Sequence, residues 1–462
     1  MIPRRGFATR FLIVLAFLLA AIPLRAAEDN AIVAEALRAL FQSGKADTGS
    51  QAANAALPSV RAIYEIRDFK PIWVRDSGPK TKAKALLAEL KISAVHGLSP
   101  EFYHVAEIDA LMGSKDPAEL ARLDMLLSGA IAEFGEDLTN GRIGPDIAGS
   151  ENAVEPIPMS PAEYIAGAEA AENLRDFAGA VLNEDFRYVR LIAKLSEYSR
   201  IQASGQWPDI DANGSEIEPE GSDPRLKDIR TLLALAGDLP FAAKGDGDVH
   251  DEASVQAVRA FQTRHGLEPS GVIDQATLAE MSVPIEDRIR QIKINLERRR
   301  WQNRDLGKDN IYINLADGSV KLVHDERSVQ FVSVTNVGQL SDLPTFFGRI
   351  TGIEARPTET STIVLTVESP FIDRLGGEAS EKTIAITDIE ALAGELLASH
   401  AAPGATLDDL LSSDASVRID FVEPLPLFVT FVTAWANRDG SVHFRPDLHG
   451  RDRELAELLQ LN

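Results

Sequence analysis

Residues 253–301 read ASVQAVRAFQTRHGLEPSGVIDQATLAEMSVPIEDRIRQIKINLERRRW, and the rest of the chain can be placed around this stretch. Val255, Val258 and Phe261 recur at helical spacing and give one apolar face. Arg264 and His265 fall in the last turn, where positive charge suits the helix dipole, and Gly266 follows as the stop. Pro269 and Gly271 make a turn. Asp274 is placed to cap a second helix that buries Leu278 and Met281. Further on, Ile285, Ile289, Ile292 and Leu296 form the apolar stripe of an amphipathic helix expected over residues 285–304. That helix carries Arg288, Arg290, Lys293, Arg298, Arg299, Arg300 and Arg304. Its arginines either meet the carboxylates of a ligand or, as is simpler, pair with acidic neighbours in a helix packed between domains.

The chain has 462 residues, enough for about three domains. It opens with Arg4, Arg5 and Arg10, an apolar run over residues 11–22 and small residues at Ala26 and Ala27. This is the layout of a secretory signal segment, expected over residues 1–26 and too short for a comfortable span. There is no cysteine, hence no disulfide, no thiolate metal site and no lipid attachment through a thiol. The formal charge is −23, which argues against nucleic acid and anionic lipid as partners. Linkers are expected near 43–55, 148–160, 209–224 and 244–252, each rich in small, acidic or turn-forming residues.

Between about Val60 and Leu239 the pattern is mostly helical. Several motifs punctuate it: Tyr64, Arg67, Pro71 and Trp73; then His96-Gly97-Leu98, Pro100 and Tyr103; then Asp124 with Leu126, Leu127 and Ser128; then Asn140-Gly141-Arg142; then Tyr188, Leu195 and Tyr198; then Gly205-Gln206-Trp207-Pro208. The run AV-x-x-FQ-x-x-x-GL-x-x-x-G-V-I-D-x-x-T-L that follows resembles the peptidoglycan-binding domain of bacterial wall enzymes. In this order, ending on Asn295-Leu296-Glu297-Arg298-Arg299-Arg300-Trp301, the motifs resemble the large periplasmic L,D-transpeptidases of Gram-negative bacteria, which cross-link stem peptides through a cysteine nucleophile. The resemblance implies a multidomain α+β chain. Its parts would be a linker over 27–57, a helical scaffold domain over 58–239, a small helical peptidoglycan-binding domain over 240–284, a linker helix over 285–304 and a β-rich, shortened transpeptidase-like domain over 305–462.

The β-rich part is legible as a hairpin of residues 311–315 and 320–323 around Ala316-Asp317-Gly318, with further strands at 330–337, 362–367, 417–421, 428–435 and 442–444. A shortened segment is expected between Arg349 and Thr362, where the family carries a lid.

The catalytic pattern is missing. Such enzymes need a thiolate, a histidine to activate it and donors for the oxyanion. Aligned by motif order, Val367 stands where the family has its histidine. Ser380 keeps the serine of the second motif, Glu381 replaces its histidine, Lys382 its glycine, Thr383 its cysteine and Ala385 its arginine. A threonine hydroxyl without a base is unreactive at neutral pH. No histidine pair has metal-ligand spacing and there is no HExxH, so no metal or cofactor is expected. Asp246, Asp248, Asp251 and Glu252 lack the spacing of a calcium loop and read as a solvated acidic linker.

The expectation is therefore a secreted, periplasmic, peptidoglycan-binding pseudoenzyme, with a second cell-wall enzyme as a candidate partner. A working transpeptidase or hydrolase with a non-cysteine nucleophile, and a plain wall anchor, are the alternatives. Gln262, Arg264 and Asp274 are the candidate ligand-binding positions of the module.

Overall fold

The computed structural model describes residues 30–44, 46, 51–144, 154–181, 186–245, 247–302, 306–324, 327–331, 345–356, 362–369, 382–386, 394, 396–398, 400–406, 409 and 417–461. The expected signal segment, and Ser380 and Glu381, lie outside the described residues. The chain divides into two compact units, one formed by the described parts of Met1–Arg142 and Ile157–Asp185, the other by those of Ile143–Pro156 and Phe186–Asn462.

The first unit is helical: α1 (Ala31–Gln42), α2 (Gln51–Ile66), α3 (Thr81–Lys91), α4 (Val105–Leu111), α5 (Pro117–Asn140), α6 (Pro161–Ala170) and α7 (Leu174–Val181), with a two-strand ribbon of β1 (Val74–Arg75) and β2 (Gly78–Pro79). Helix α5 is its axis. Asp116 caps it by accepting from the amides of Ala118 and Glu119, and Pro117 occupies the first turn, where no amide is needed. The helix stops at Gly141, whose φ of 83° other residues rarely adopt. Nearly every residue from Leu120 to Thr139 is buried, so α5 is surrounded rather than one-sided. The described part of the expected linker over 27–57 includes α1 and the start of α2. Val33, Leu37 and Phe41 of α1, spaced one turn apart, join the same core.

Two polar nodes fix the unit, and each draws on motif residues: Tyr64, Trp73, Asp124 and Ser128 at one, Tyr103 and Arg142 at the other. Asp124 accepts from the amides of Ile72 (2.9 Å), Trp73 (2.6 Å) and Val74 (2.9 Å) and from the Tyr64 hydroxyl (2.5 Å). Ser128 completes this node, 2.7 Å from the Tyr64 hydroxyl and accepting from the Trp73 indole at 2.9 Å. At the other node the Tyr103 hydroxyl donates to Asp137 at 2.7 Å, and Arg142 reaches Asp137 at 3.1 Å and Glu133 at 3.4 Å. The Arg142 guanidinium lies 3.6 Å from the centre of the Phe102 ring. Burial, together with the nearby Asp137 charge and against the pull of Arg142, raises the Glu133 carboxyl from 4.5 to about 7.

The second unit begins with α8 (Phe186–Ser204), α9 (Leu226–Ala236), α10 (Glu252–His265), α11 (Gln275–Met281) and α12 (Ile285–Trp301). Seven strands follow in one sheet: β3 (Asn310–Asn314), β4 (Ser319–His324), β5 (Arg327–Phe331), β6 (Phe346–Arg356), β7 (Thr362–Glu368), β8 (Lys382–Ile386) and β9 (Val417–Thr430). Their order is β5-β4-β3-β9-β6-β7-β8, and only β3 with β9 runs parallel. A small ribbon of β10 (Ala434–Ala436) and β11 (Val442–Phe444) and the helix α13 (Arg451–Leu458) close the chain.

The expected hairpin after α12 is present as β3–β4. One other expectation changes, one is met at its start, and one strand is unannounced by the sequence. Residues 417–421 and 428–435 are not the two strands expected: residues 417–430 form the one strand β9, through Pro424 and Pro426, and Ala434 and Trp435 belong to β10. The expected strand at 330–337 has its first two residues in β5, and 332–337 lie outside the described residues. The segment after Arg349 belongs to an eleven-residue strand, β6. A bulge between Ile350 and Gly352 puts Ile350 and Ile353 both into the core, which breaks the two-residue alternation that would have announced a strand.

Candidate functional site

The wall-binding module suggested by the sequence is built from a core of Ile210, Ile217, Leu226, Ile229, Leu232, Leu233, Leu239, Val258, Phe261, Ile273, Leu278 and Met281. Helix α9, assigned from sequence to the preceding domain, is thus the module's first helix. The segments expected as linkers at 209–224 and 244–252 are part of it too. Ile217 bridges to Ile273 and Ser222 to Val249 in antiparallel fashion. His250 is fully buried, with Nδ1 2.7 Å from the Ser254 hydroxyl and Nε2 2.8 Å from the Gly271 carbonyl.

The three candidate ligand-binding residues all serve this architecture. The Gln262 side chain is buried. Its amide donates to the Val272 carbonyl (2.8 Å) and the Thr277 hydroxyl (3.0 Å), and its oxygen accepts from the Gly271 amide (2.9 Å). Gln262 thereby holds the turn between α10 and α11 in place of missing backbone partners. Asp274 accepts from the Thr277 amide at 2.8 Å, a helix cap. Arg264 pairs with Asp238 through two hydrogen bonds and donates to the Val442 carbonyl at 2.6 Å. It joins α10 to β11. The module's exposed side chains are others, including Gln256, Arg259, Glu268 and Gln275.

His265 reverses its expected charge. Burial lowers its imidazole from 6.5 to about 3, so it is neutral at pH 7. The ring stacks on Phe261 (centroids 3.9 Å apart) and on Phe444 (5.4 Å). Its Nδ1 lies 2.6 Å from Glu280, which also accepts from Arg288 at 2.6 Å. Desolvation opposes ionisation of Glu280, but the His265 hydrogen bond and the charge and hydrogen bond of Arg288 outweigh it and hold that carboxyl below its ordinary range. Spacing alone gave no sign that Phe444, far away in the sequence, closes this stack.

Helix α12 settles between its two readings in favour of packing. Arg298 is fully buried and donates to Asp452. Thr433 donates to the other oxygen of that carboxylate at 2.6 Å. Asn295 exchanges two hydrogen bonds with Thr433, donating at 2.8 Å and accepting at 2.9 Å. Glu297 accepts from the Ile143 amide and from Arg300, both at 2.7 Å, and Arg300 reaches the Tyr188 hydroxyl at 3.2 Å.

On the sheet, Val367 is 3% exposed and belongs to the apolar core with Leu365, Leu396, Leu397 and Leu425. Its Cα partner across the sheet is Lys382, and Thr366 pairs with Thr383. Register therefore brings three of the positions that the sequence resemblance aligns with catalytic residues, Val367, Lys382 and Thr383, to neighbouring places on β7 and β8, with Ala385 further along β8 opposite Val364. At the position aligned with the family's histidine stands a packed valine. No group of three or more His, Asp or Glu suited to a metal occurs among the described residues.

Residues 58–195 match the family model of a scaffold domain, and residues 222–281 match that of a peptidoglycan binding domain. These are the two regions where the sequence resemblance lies before α12, and they are consistent with an L,D-transpeptidase-like architecture. The second match starts at Ser222, one of the bridging residues that tie the former linker into the module. No curated protein matches the chain. A cell-wall binding role rests on the module, and no helix among the described residues is long and apolar enough to cross a membrane.

Proposed function

We propose that this protein is a periplasmic, peptidoglycan-binding pseudoenzyme with the architecture of an L,D-transpeptidase, serving as a scaffold or regulator in cell-wall remodelling. The observation that carries this reading is the pairing of a complete binding module with Val367 packed in a hydrocarbon core, in a chain without cysteine. A thiolate mechanism has neither nucleophile nor base here, and Thr383 has no histidine beside it in the ladder that pairs β7 with β8. The fold supports binding independently of chemistry.

The test is co-sedimentation of the mature protein with purified sacculi, followed by digestion and muropeptide analysis. Binding with an unchanged muropeptide profile is the expected result. New or missing cross-links that depend on Thr383 would establish the enzyme reading in its place. A specific wall enzyme recovered with the protein from solubilised envelope would favour the regulator over a plain anchor.

A further inference from the structure

The loop between α9 and α10 carries apolar surface that the module's core does not use. Among the described residues of the module the exposed large hydrophobic side chains are Phe241, at 66%, and Val249, at 44%, and both lie on this loop. Phe241 is also the only exposed aromatic residue of the chain among those whose side chains are described. Single exposed hydrophobic residues are ordinary, but these two are held in place. Phe241–Ala243 is one tight turn, in which the Ala243 amide donates to the Pro240 carbonyl at 2.8 Å and the Lys244 amide to the Phe241 carbonyl at 3.3 Å. Arg230 of α9 is 3% exposed and donates to the Lys244 carbonyl at 3.4 Å and to the Val249 carbonyl at 2.8 Å. One buried guanidinium thus fixes both the turn that carries Phe241 and the arm that carries Val249.

The returning arm is tied down as well. The Asp223 amide donates to the Asp248 carbonyl at 2.8 Å, the His250 amide to the Gly221 carbonyl at 2.8 Å and the Glu220 amide to the His250 carbonyl at 2.9 Å. His250 is fully buried, so the alternation of extended chain turns its neighbour Val249 outward. The charge around the two apolar residues is mostly negative. Asp251 neutralises Arg230 at 2.8 Å, and the exposed Asp248 and Glu252 stand against a single half-buried lysine, Lys244. Such a rim opposes carboxylates and leaves an uncharged ligand free to approach. A flat aromatic face beside a short branched side chain suits the C–H face of a pyranose and the methyl of its N-acetyl group.

We infer that Phe241 and Val249, presented by the loop that Arg230 holds, are the module's contact with the N-acetylated glycan strand of peptidoglycan. The inference rests on the wall-binding reading above and names the part of the wall that is recognised. Stem peptides carry free carboxylates, which the acidic rim opposes. The sugars of the intact wall carry none, because their lactyl groups are amide-linked to the peptides.

The test is co-sedimentation of the full mature chain with purified sacculi, with tetra-N-acetylglucosamine or free stem tetrapeptide added as competitor. The sugar should displace the protein and the peptide should not. Phe241→Ala should weaken sacculus binding by about tenfold or more without moving the unfolding midpoint, because the ring is mostly exposed. Phe241→Trp, which keeps an aromatic face, should retain binding. Displacement by the peptide, no displacement by the sugar, or equal binding of Phe241→Ala and the unsubstituted chain would each overturn the assignment. So would a dimer that Phe241→Ala dissociates while wall binding stays unchanged, since the loop would then join two copies of the chain. If the unsubstituted chain binds no sacculi, the wall-binding reading falls and this inference with it. If it binds and Phe241→Ala binds equally, only the loop's role falls.

Discussion

Helix α12 and the β7–β8 edge lie in the same unit and have kept opposite things. At α12 three distinctive residues of the sequence motif have specific partners: Asn295 with Thr433, Glu297 with the Ile143 amide, Arg298 with Asp452. At β7–β8 the positions that the sequence resemblance aligns with catalytic residues hold a packed valine and a strand that continues the ladder. The motifs that made the resemblance legible in the first unit behave like those of α12. Tyr64, Trp73, Asp124 and Ser128 are bonded in one node, and Tyr103 and Arg142 meet at Asp137 in another. In these motifs the polar residues hold the architecture, so the motif match reports folding and does not by itself report catalysis.

This contrast can be broken in four places. The largest effect is expected from Asp124→Ala, which strands the three backbone amides of Ile72, Trp73 and Val74 in the core and takes one partner from the Tyr64 hydroxyl. It should cost about 3–5 kcal/mol in urea unfolding of the first unit. A loss near zero would mean that the node is not structural. Next is pH. The Glu133 carboxyl binds its proton more tightly when folded, at about 7 against an ordinary 4.5. Its contribution is full below 4.5 and is lost as pH rises through 7, on the order of 3 kcal/mol at most. Glu133→Gln should flatten that part of the stability–pH curve, and a curve of unchanged slope would remove Glu133 from the account.

Gln262→Ala should destabilise the module by about 2 kcal/mol by leaving the Gly271 amide and Val272 carbonyl unpaired. It should reduce sacculus binding only to the extent that the module unfolds. If the folded variant fails to sediment, Gln262 touches the ligand after all. The smallest effect belongs to Thr383→Ala, with no change in the muropeptide profile and less than about 0.5 kcal/mol in stability. Any loss of turnover on that substitution would sharpen the contrast into a contradiction.

Much of the architecture is written locally. The Gly266 stop, the Asp274 cap and the Val255–Val258–Phe261 face of α10 are all where spacing puts them. The β3–β4 hairpin follows from its turn residues. What spacing could not convey is where a side chain's partner lies. Gln262, Arg264 and Asp274 look like polar residues awaiting a ligand until Thr277, Asp238 and Val442 are seen beside them. His265 looks like a helix-end cation until Phe444 covers it. Composition also misled at 209–224, where acidic and glycine-rich chain still supplies Ile210 and Ile217 to a core. In β6 two glycines and a bulge hid a strand of eleven residues.

The parallel pairing of β3 with β9 has a consequence for how the molecule is assembled. Ile311 meets Leu427 across roughly a hundred residues of intervening chain, so the loop that this contact closes is among the slowest kinds to form. Until β9 arrives, the hairpin ribbon of β3, β4 and β5 and that of β6, β7 and β8 are two separate sheets, each presenting an open edge at the place the missing strand will occupy. A chain cut short before Val417 would leave both edges bare. Self-association, rather than a smaller folded protein, is the fate to expect of such a fragment, and the last tenth of the sequence is what prevents it.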